Sequence, residues 1–277
     1  MAKIDVVMPV KDGPGPLTAA ISSMLWQTER DIRVIIVNDD SGPETVAIME
    51  RFANEDSRVT LIAARGKGIV DALNTGFDHA TASYVARMDG DDIAFPTRFE
   101  AQLAVMEAQP RVALCGTPVI RFGRENGLSK LPTSATDCRR ALGVFNCFYH
   151  PTVMIRRSIL EEHHIRYVRE YEYAEDYKLF CDLAAVGDAI NLAEPQLLYR
   201  VHIGQISTTK RKAQELAALK VVAHQAGLGD RTGTLHDLRS LSAMAYAARQ
   251  LGGTHAHRSL NAIKNGVAAV RFGLSRP

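Results

Sequence analysis

The sequence predicts an α/β protein: a mostly parallel sheet flanked by helices, followed by a helical extension. Three observations predict it. Short β-branched apolar runs alternate with apolar stripes of helical period over roughly the first 120 residues. The run Ile32–Val37 is apolar except at Arg33, as in strands covered on both faces. Two of the strand-like runs end in clustered carboxylates, where open parallel sheets bind their ligands.

The elements follow in order. Ile4–Val10 reads as a first strand. Leu17, Ile21, Met24 and Leu25 share one helical face. Ile32–Val37 is the second strand, and Val46, Met49 and Ala53 mark a second helix. Val59–Ala63 is a third strand and Asp71–Ala80 a third helix. Tyr84–Met88 makes the fourth strand; Phe99, Leu103 and Met106 mark the helix over 98–109, and the alternative to a ligand site for the acids before it is a plain turn in which Asp92 or Thr97 caps this helix. Val112–Cys115 is a fifth strand. Strand and helix repeated at this spacing mean a parallel sheet. Residues 121–150, carrying Gly, Pro, Ser and Thr, read as a loop-rich excursion, and a helix returns at Asp176–Val186. From Lys210 the chain is Ala-rich and helical, with breaks near Gly227–Gly233 and Gly252–Gly253. Two units result: a domain over 1–209 and a basic helical tail over 210–277.

With 46% hydrophobic and 23% charged residues, the 277-residue chain can bury a sizeable core. Cys115, Cys138, Cys147 and Cys181 lack the paired spacing of a zinc site or disulfide framework. The N-terminus carries no signal-peptide pattern, and no apolar run approaches the ~20 residues of a spanning helix. These features point to the cytoplasm. The net charge of +2 is unevenly placed, about −6 over 1–209 and about +8 over 210–277. The basic tail suits peripheral contact with an anionic membrane at its inner face. Nucleic acid is excluded as a partner, because the domain is acidic and aromatics are only 6%. Trp26 is expected to pack rather than stack on a sugar, and His163 and His164 to lie on the surface.

The chemistry concentrates at two strand ends. Ile35-Ile36-Val37 runs into Asn38-Asp39-Asp40-Ser41, and Tyr84–Met88 runs into Asp89-Gly90-Asp91-Asp92. Three carboxylates within four residues repel one another, and a hard divalent cation, Mn²⁺ or Mg²⁺, would relieve them. Gly90 would permit a tight turn and close ligand approach. An EF-hand fails, because Ala94 stands at the glycine position and Pro96 interrupts the loop. A dinucleotide fingerprint fails as well. Thr18 stands for the third glycine, and Pro14 and Pro16 remove N–H donors.

Taken in order, several segments resemble the family 2 glycosyltransferases of GT-A fold. They are Val7-Met8-Pro9-Val10, Ile21 to Thr28, Ile35 to Ser41, Gly68 to Gly76, and Tyr84 to Asp92. Later come His150-Pro151-Thr152 through Arg157, Ala174-Glu175-Asp176 through Leu179, and Leu198-Tyr199-Arg200-Val201-His202. The resemblance covers roughly residues 3–209. It departs at Asp12, where Asn is common, and at Asn38-Asp39-Asp40-Ser41, where Asp-Asp-Gly-Ser is common.

The resemblance implies an inverting, metal-dependent hexosyltransferase that uses a nucleotide-sugar donor, UDP-linked by the usual pattern. The acceptor would be a glycan or a lipid-linked sugar of cell-surface polysaccharide synthesis. By the same resemblance Pro9, Val10 and Asp12 line the base pocket and Asp39 bonds the base. Asp71 and Asn74 sit near base and ribose. Asp89, with Gly90, contacts the ribose, and Asp91 and His202 hold the metal. Asp176 is the general base, and Glu175 orients or binds the acceptor. His150 is a weaker candidate for contact with acceptor or phosphate. Two other readings compete. A sugar-1-phosphate nucleotidyltransferase would want a Gly-x-Gly-x-Arg loop after the first strand, and only Lys11 is present. A non-catalytic carbohydrate- or nucleotide-binding module would not need Asp39, Asp89, Asp91 and Asp176 together.

Overall fold

The protein was analysed as a computed structural model, which describes residues 2–205 and 209–225. The predicted breaks near Gly227–Gly233 and Gly252–Gly253, and most of the tail, lie outside the described residues.

The elements begin with β1 (Ile4–Val10), α1 (Pro14–Leu25), β2 (Ile32–Asn38), α2 (Pro43–Glu55), β3 (Val59–Ala63), α3 (Ile69–His79) and β4 (Tyr84–Arg87). Next come β5 (Ile93–Ala94), α4 (Arg98–Ala108), β6 (Val112–Gly116), β7 (Ile120–Gly123), β8 (Gly127–Leu128) and α5 (Ala135–Leu142). The rest are β9 (Met154–Arg156), α6 (Arg157–Glu162), α7 (Glu175–Val186), β10 (Asp188–Asn191), β11 (Leu197–Val201) and α8 (Arg211–Gln225). A seven-stranded sheet runs β10-β6-β9-β4-β1-β2-β3. It is parallel except for β9, which is antiparallel to both neighbours. A second, four-stranded sheet runs β5-β11-β7-β8.

The strand period of two divides the sheet's side chains between two cores. Ile4, Val6, Met8 and Val10 face one core with α1 and α4; Val7, Val37 and Val85 face the other with α3, α5 and α7. Gly76 sets the fit of α3 on β1, because a Cβ there would stand 2.3 Å from Val7 Cγ1. Inside β1, the buried Asp5 carboxylate accepts two 2.8 Å bonds from Arg33 and further bonds from Thr81 and Ala82 N–H.

Three expectations are corrected. The 121–150 excursion contains β7, β8 and α5. Strand β7 pairs with β11, far along the chain, so its signal is not local. The start of α5 had a local signal, since Ser134 Oγ accepts from the Asp137 N–H at 3.1 Å. Trp26 does not pack; it is 73% exposed, one residue past the buried stripe of α1. Neither expected residue caps α4 by its side chain. Thr97 Oγ1 donates to Gln196 Oε1, and Asp92 accepts from the Arg200 N–H. His163 and His164 are exposed, as expected.

Helix α8 packs against α7 and the Arg169–Tyr171 turn, and its Ala217 and Val221 join the core. No helix among the described residues is long and apolar enough to cross a membrane.

Candidate functional site

Parallel pairing brings the carboxyl ends of β1, β2 and β4 to one edge of the sheet. Helix α7 precedes β10, which is parallel to β6, so its N-terminus opens at the same edge. The sequence-predicted residues collect here.

The first group surrounds the end of β2. Asp39 is nearly fully buried, and its two carboxylate oxygens accept from the Gly68 N–H at 3.0 and 3.2 Å. Lys11 Nζ lies 3.7 Å away. Asp12 adopts a left-handed φ of 56°, which Asp tolerates better than most residues. Its carboxylate accepts from the Gly42 N–H at 2.8 Å, closing the β1 loop onto the β2 loop. Pro9 and Val10 are buried at the base of these loops. Asp71 is ion-paired to Arg169. Asn74 uses both ends of its amide on the Tyr167 backbone, at 2.9 and 3.1 Å.

The second group is the acidic turn after β4. Ligand oxygens of Asp89, Asp91 and Asp92 lie within 4.8 Å of one another. His202 Nε2 is 3.2 Å from Asp91 Oδ2, so β11 delivers the histidine to the carboxylate it was paired with on sequence grounds. Burial, then the Asp89 charge, raises the Asp91 carboxyl above its usual range; His202 and Arg87 oppose the rise. Burial and the charges of Asp89 and Asp91 lift Asp92 further, and its Oδ2 is buried without a partner. Crowded anionic oxygens with one unmatched acceptor fit a hard divalent cation. Gly90 is not among the residues with positive φ, and a Cβ there would meet Leu17 and Val10 only at 3.4 and 3.7 Å. The residue therefore has no left-handed φ, and the turn does not itself demand glycine.

The third group opens α7. Glu175 is 9% exposed, with Oε2 buried and unpartnered. Burial and the neighbouring Asp176 charge push its carboxyl up to about 7. Asp176 is also raised, by burial, while a 2.7 Å bond from the Tyr177 N–H and a 2.9 Å bond from Asn146 Nδ2 hold it in place. The preceding Tyr173 has a φ of 74°, an unusual conformation for a bulky residue and a turn that sets the entry to this helix. His150 does not stand free. Its Nε2 is 2.7 Å from the Tyr167 hydroxyl, and burial holds the imidazole well below its usual pKa.

Sequence reasoning missed several residues of this edge. Asn146 lies in the stretch read as a loop and carries no motif of its own. Arg87 had a signal: a charged residue inside an otherwise apolar strand must find a partner, and it pairs with Asp89. Arg200 donates from Nε to the Asp91 carbonyl at 2.9 Å and stacks over the Phe122 ring. The fully buried Arg98 donates to the Arg87 carbonyl at 2.8 Å and fixes the end of β4.

Comparison with known proteins places the chain among relatives. The family described as "Glycosyl transferase family 2" matches residues 5–163. The amylovoran biosynthesis glycosyltransferase AmsE of Erwinia amylovora is 32% identical over 245 residues, 82% of this chain and 88% of that protein. The O-antigen biosynthesis glycosyltransferase WbnJ of Escherichia coli is 30% identical over 72% of this chain and 80% of its own. An uncharacterized glycosyltransferase of Haemophilus influenzae is 28% identical over 73% of this chain and 66% of its own. Among solved structures, S. aureus TarS 1-349 in complex with UDP-GlcNAc superposes with a TM-score of 0.67 at 14% identity, covering 97% of this chain and 81% of that one. The mannosyltransferase PcManGT of Pyrobaculum calidifontis, in complex with GDP-Man and Mn²⁺, gives 0.57 at 15% identity over 98% and 87%. These two likenesses concern the fold, a central sheet flanked by helices of the glycosyltransferase GT-A type.

Proposed function

The chain belongs to glycosyltransferase family 2, and we propose that it moves a sugar, with inversion, from a nucleotide diphosphate to a hydroxyl of a glycan or lipid-linked acceptor. One observation carries the reading: the acidic turn Asp89–Asp92, with His202 against Asp91, shares the sheet edge with a held carboxylate, Asp176. AmsE and WbnJ, named for amylovoran and O-antigen biosynthesis, support a role in cell-surface polysaccharide synthesis.

The Asp39 carboxylate, an acceptor only, suits a base that presents an N–H, and we assign it to uracil. Pro9, Val10 and Asp12 shape that pocket, with Asp71 and Asn74 on its far wall. Asp89 meets the ribose, and Gly90 leaves room beside it. Asp91 and His202 would hold Mn²⁺ or Mg²⁺, with Asp92 contributing to the same knot. When bound, such an ion offsets charge growing on the leaving diphosphate.

The acceptor hydroxyl is a poor nucleophile until its proton is taken. Asp176 accepts that proton as the hydroxyl oxygen bonds to the anomeric carbon. The bond from that carbon to the diphosphate oxygen breaks, and the nucleoside diphosphate leaves. One displacement inverts the centre, so no enzyme nucleophile is needed. Raising the Asp176 carboxyl makes it a stronger base, and Asn146 keeps it aimed. Glu175, beside it at the start of α7, orients the acceptor side.

We assign catalysis to residues 1–209. The basic tail, 210–277, brings the enzyme to an anionic membrane surface on the cytoplasmic side. Because α8 packs on α7, the tail is tested by ending the chain after Gln225. Equal binding of the full and shortened chains to anionic vesicles would refute the membrane role. The central test is a screen of UDP- and GDP-sugar hydrolysis with and without Mn²⁺. Wild type should hydrolyse one donor in a Mn²⁺-dependent way and Asp91→Ala should not; equal rates would refute the donor site.

A further inference from the structure

Arg87 ends β4, directly beneath the acidic turn, and is 5% exposed. Its backbone is fixed on both sides: the N–H donates to the Val153 carbonyl, and the carbonyl accepts from Arg98. The guanidinium makes an ion pair with Asp89, whose carboxylate stays partly open to the cleft. Its Nε and Nη1 are buried without partners. Burying a charged group with two unmatched donors is costly, so packing alone would favour an apolar residue here. Burial opposes its charge, yet Asp89, Tyr167 and Asp92 together outweigh burial and keep it protonated. Its charge is felt at Asp91 on the donor side and at Glu175 and Asp176 on the acceptor side. It is the buried cation common to the two ends of the site among the described residues.

We propose that Arg87 is the positioning residue of the donor subsite: it orients Asp89 and serves as the fixed counter-charge that admits a nucleotide diphosphate to an acid-lined cleft. The inference rests on the donor-site reading above. The five carboxylates of the acidic turn and the start of α7 would repel an incoming diphosphate, and a positive charge in the floor lowers that barrier before any ion arrives. The same charge, felt at Asp91, opposes a bare metal ion at the neighbouring Asp91 and His202. The two ligands should therefore respond to its loss with opposite signs, which a packing role cannot produce.

The test is titration of UDP beside saturating Mn²⁺, and of Mn²⁺ alone, into full-length protein. Arg87→Met should weaken UDP at least tenfold and tighten bare Mn²⁺ several-fold. Arg87→Lys, which keeps the charge and can make the single contact to Asp89, should recover most of the UDP binding. In an Asp89→Asn background, Arg87→Met should cost clearly less UDP affinity than it does in wild type, because the counter-charge is still lost but the group it orients is already gone. Parallel weakening of both ligands, or losses that simply add to those of Asp89→Asn, would overturn the proposal. If Arg87→Met fails to fold, Arg87→Gln takes its place in both titrations and in the Asp89→Asn cycle, where additive losses overturn it equally. Wild-type protein that binds neither UDP nor GDP beside Mn²⁺ would overturn the donor-site reading and this inference together; wild-type binding with additive losses would overturn this one alone.

Discussion

Glu175→Gln should make the protein more stable at pH 8 and have a much smaller effect at pH 5. Glu175 is buried, carries an unpartnered oxygen and lies beside another carboxylate. Its carboxyl is raised from 4.5 to about 7, first by burial and then by Asp176. Below 4.5 the group is protonated in both folded and unfolded chains and contributes nothing. Between 4.5 and 7 the unfolded chain ionises while the folded one keeps its proton, so stability falls as pH rises. Above 7 the penalty is complete, and at 1.36 kcal/mol per unit its ceiling is about 3 kcal/mol. Because the raised value belongs partly to the pair with Asp176, about 1–3 kcal/mol is expected. Gln has the same shape and no charge, so it removes this pH-dependent part. Urea unfolding of both proteins at pH 5 and pH 8 measures the difference directly. A gap that stays constant between the two pH values, or that turns against the Gln variant as pH rises, would refute a buried, destabilised carboxylate at this position.

Other predictions concern the same edge and the core behind it. Asp176→Asn should keep UDP affinity within about twofold while turnover falls by roughly 10²–10⁴, the usual worth of a general base; wild-type turnover would remove it from that role. Asn146→Ala takes away a bond that lowers the Asp176 carboxyl, so the acid limb of the kcat profile should move to higher pH, with activity at pH 6 suffering more than at pH 8. An unmoved limb would show that Asn146 does not tune the base. Gly76→Ala forces a methyl to within 2.3 Å of Val7 Cγ1 and should cost about 1–3 kcal/mol of stability, read from denaturant midpoints.

Much of the fold was legible because its signals are local. β1 and β3 match their predicted spans, and the period of Leu17, Ile21 and Met24 is the buried face of α1. What sequence could not show was pairing at a distance. Strand β9 has three residues and no periodicity of its own, and it is a strand because β4 and β6 flank it. The acidic turn and the Glu175-Asp176 pair stand out as runs of like charge, which chain order alone reveals. Asn146 matters through Asp176, thirty residues on, and leaves no mark in spacing, whereas Arg87 shows only as a charge inside an apolar strand. Asn74 shows a further limit. Its motif suggested a ligand contact, while the folded chain commits its amide to the Tyr167 backbone.

The lone antiparallel strand has a consequence for how the molecule is made. Residues 4–87 supply β1 to β4, whose parallel pairing is complete within this segment, with β2 beside both β1 and β3 and β4 returning to the other side of β1. Strand β6 is synthesised next but has no seat beside β4, because that place is reserved for β9, some forty residues later. Until those residues emerge, β4 and β6 each carry an open edge, and the apolar faces they share stay wet. On the ribosome the chain should therefore pass through a stage with half a sheet, poorly protected against proteases and prone to self-association. The stretch that ends the stage also carries Asn146 and His150, so sheet closure and assembly of the acceptor side are one event in synthesis. An N-terminal fragment stopping before residue 146 would expose sticky strand edges without ever forming a working cleft.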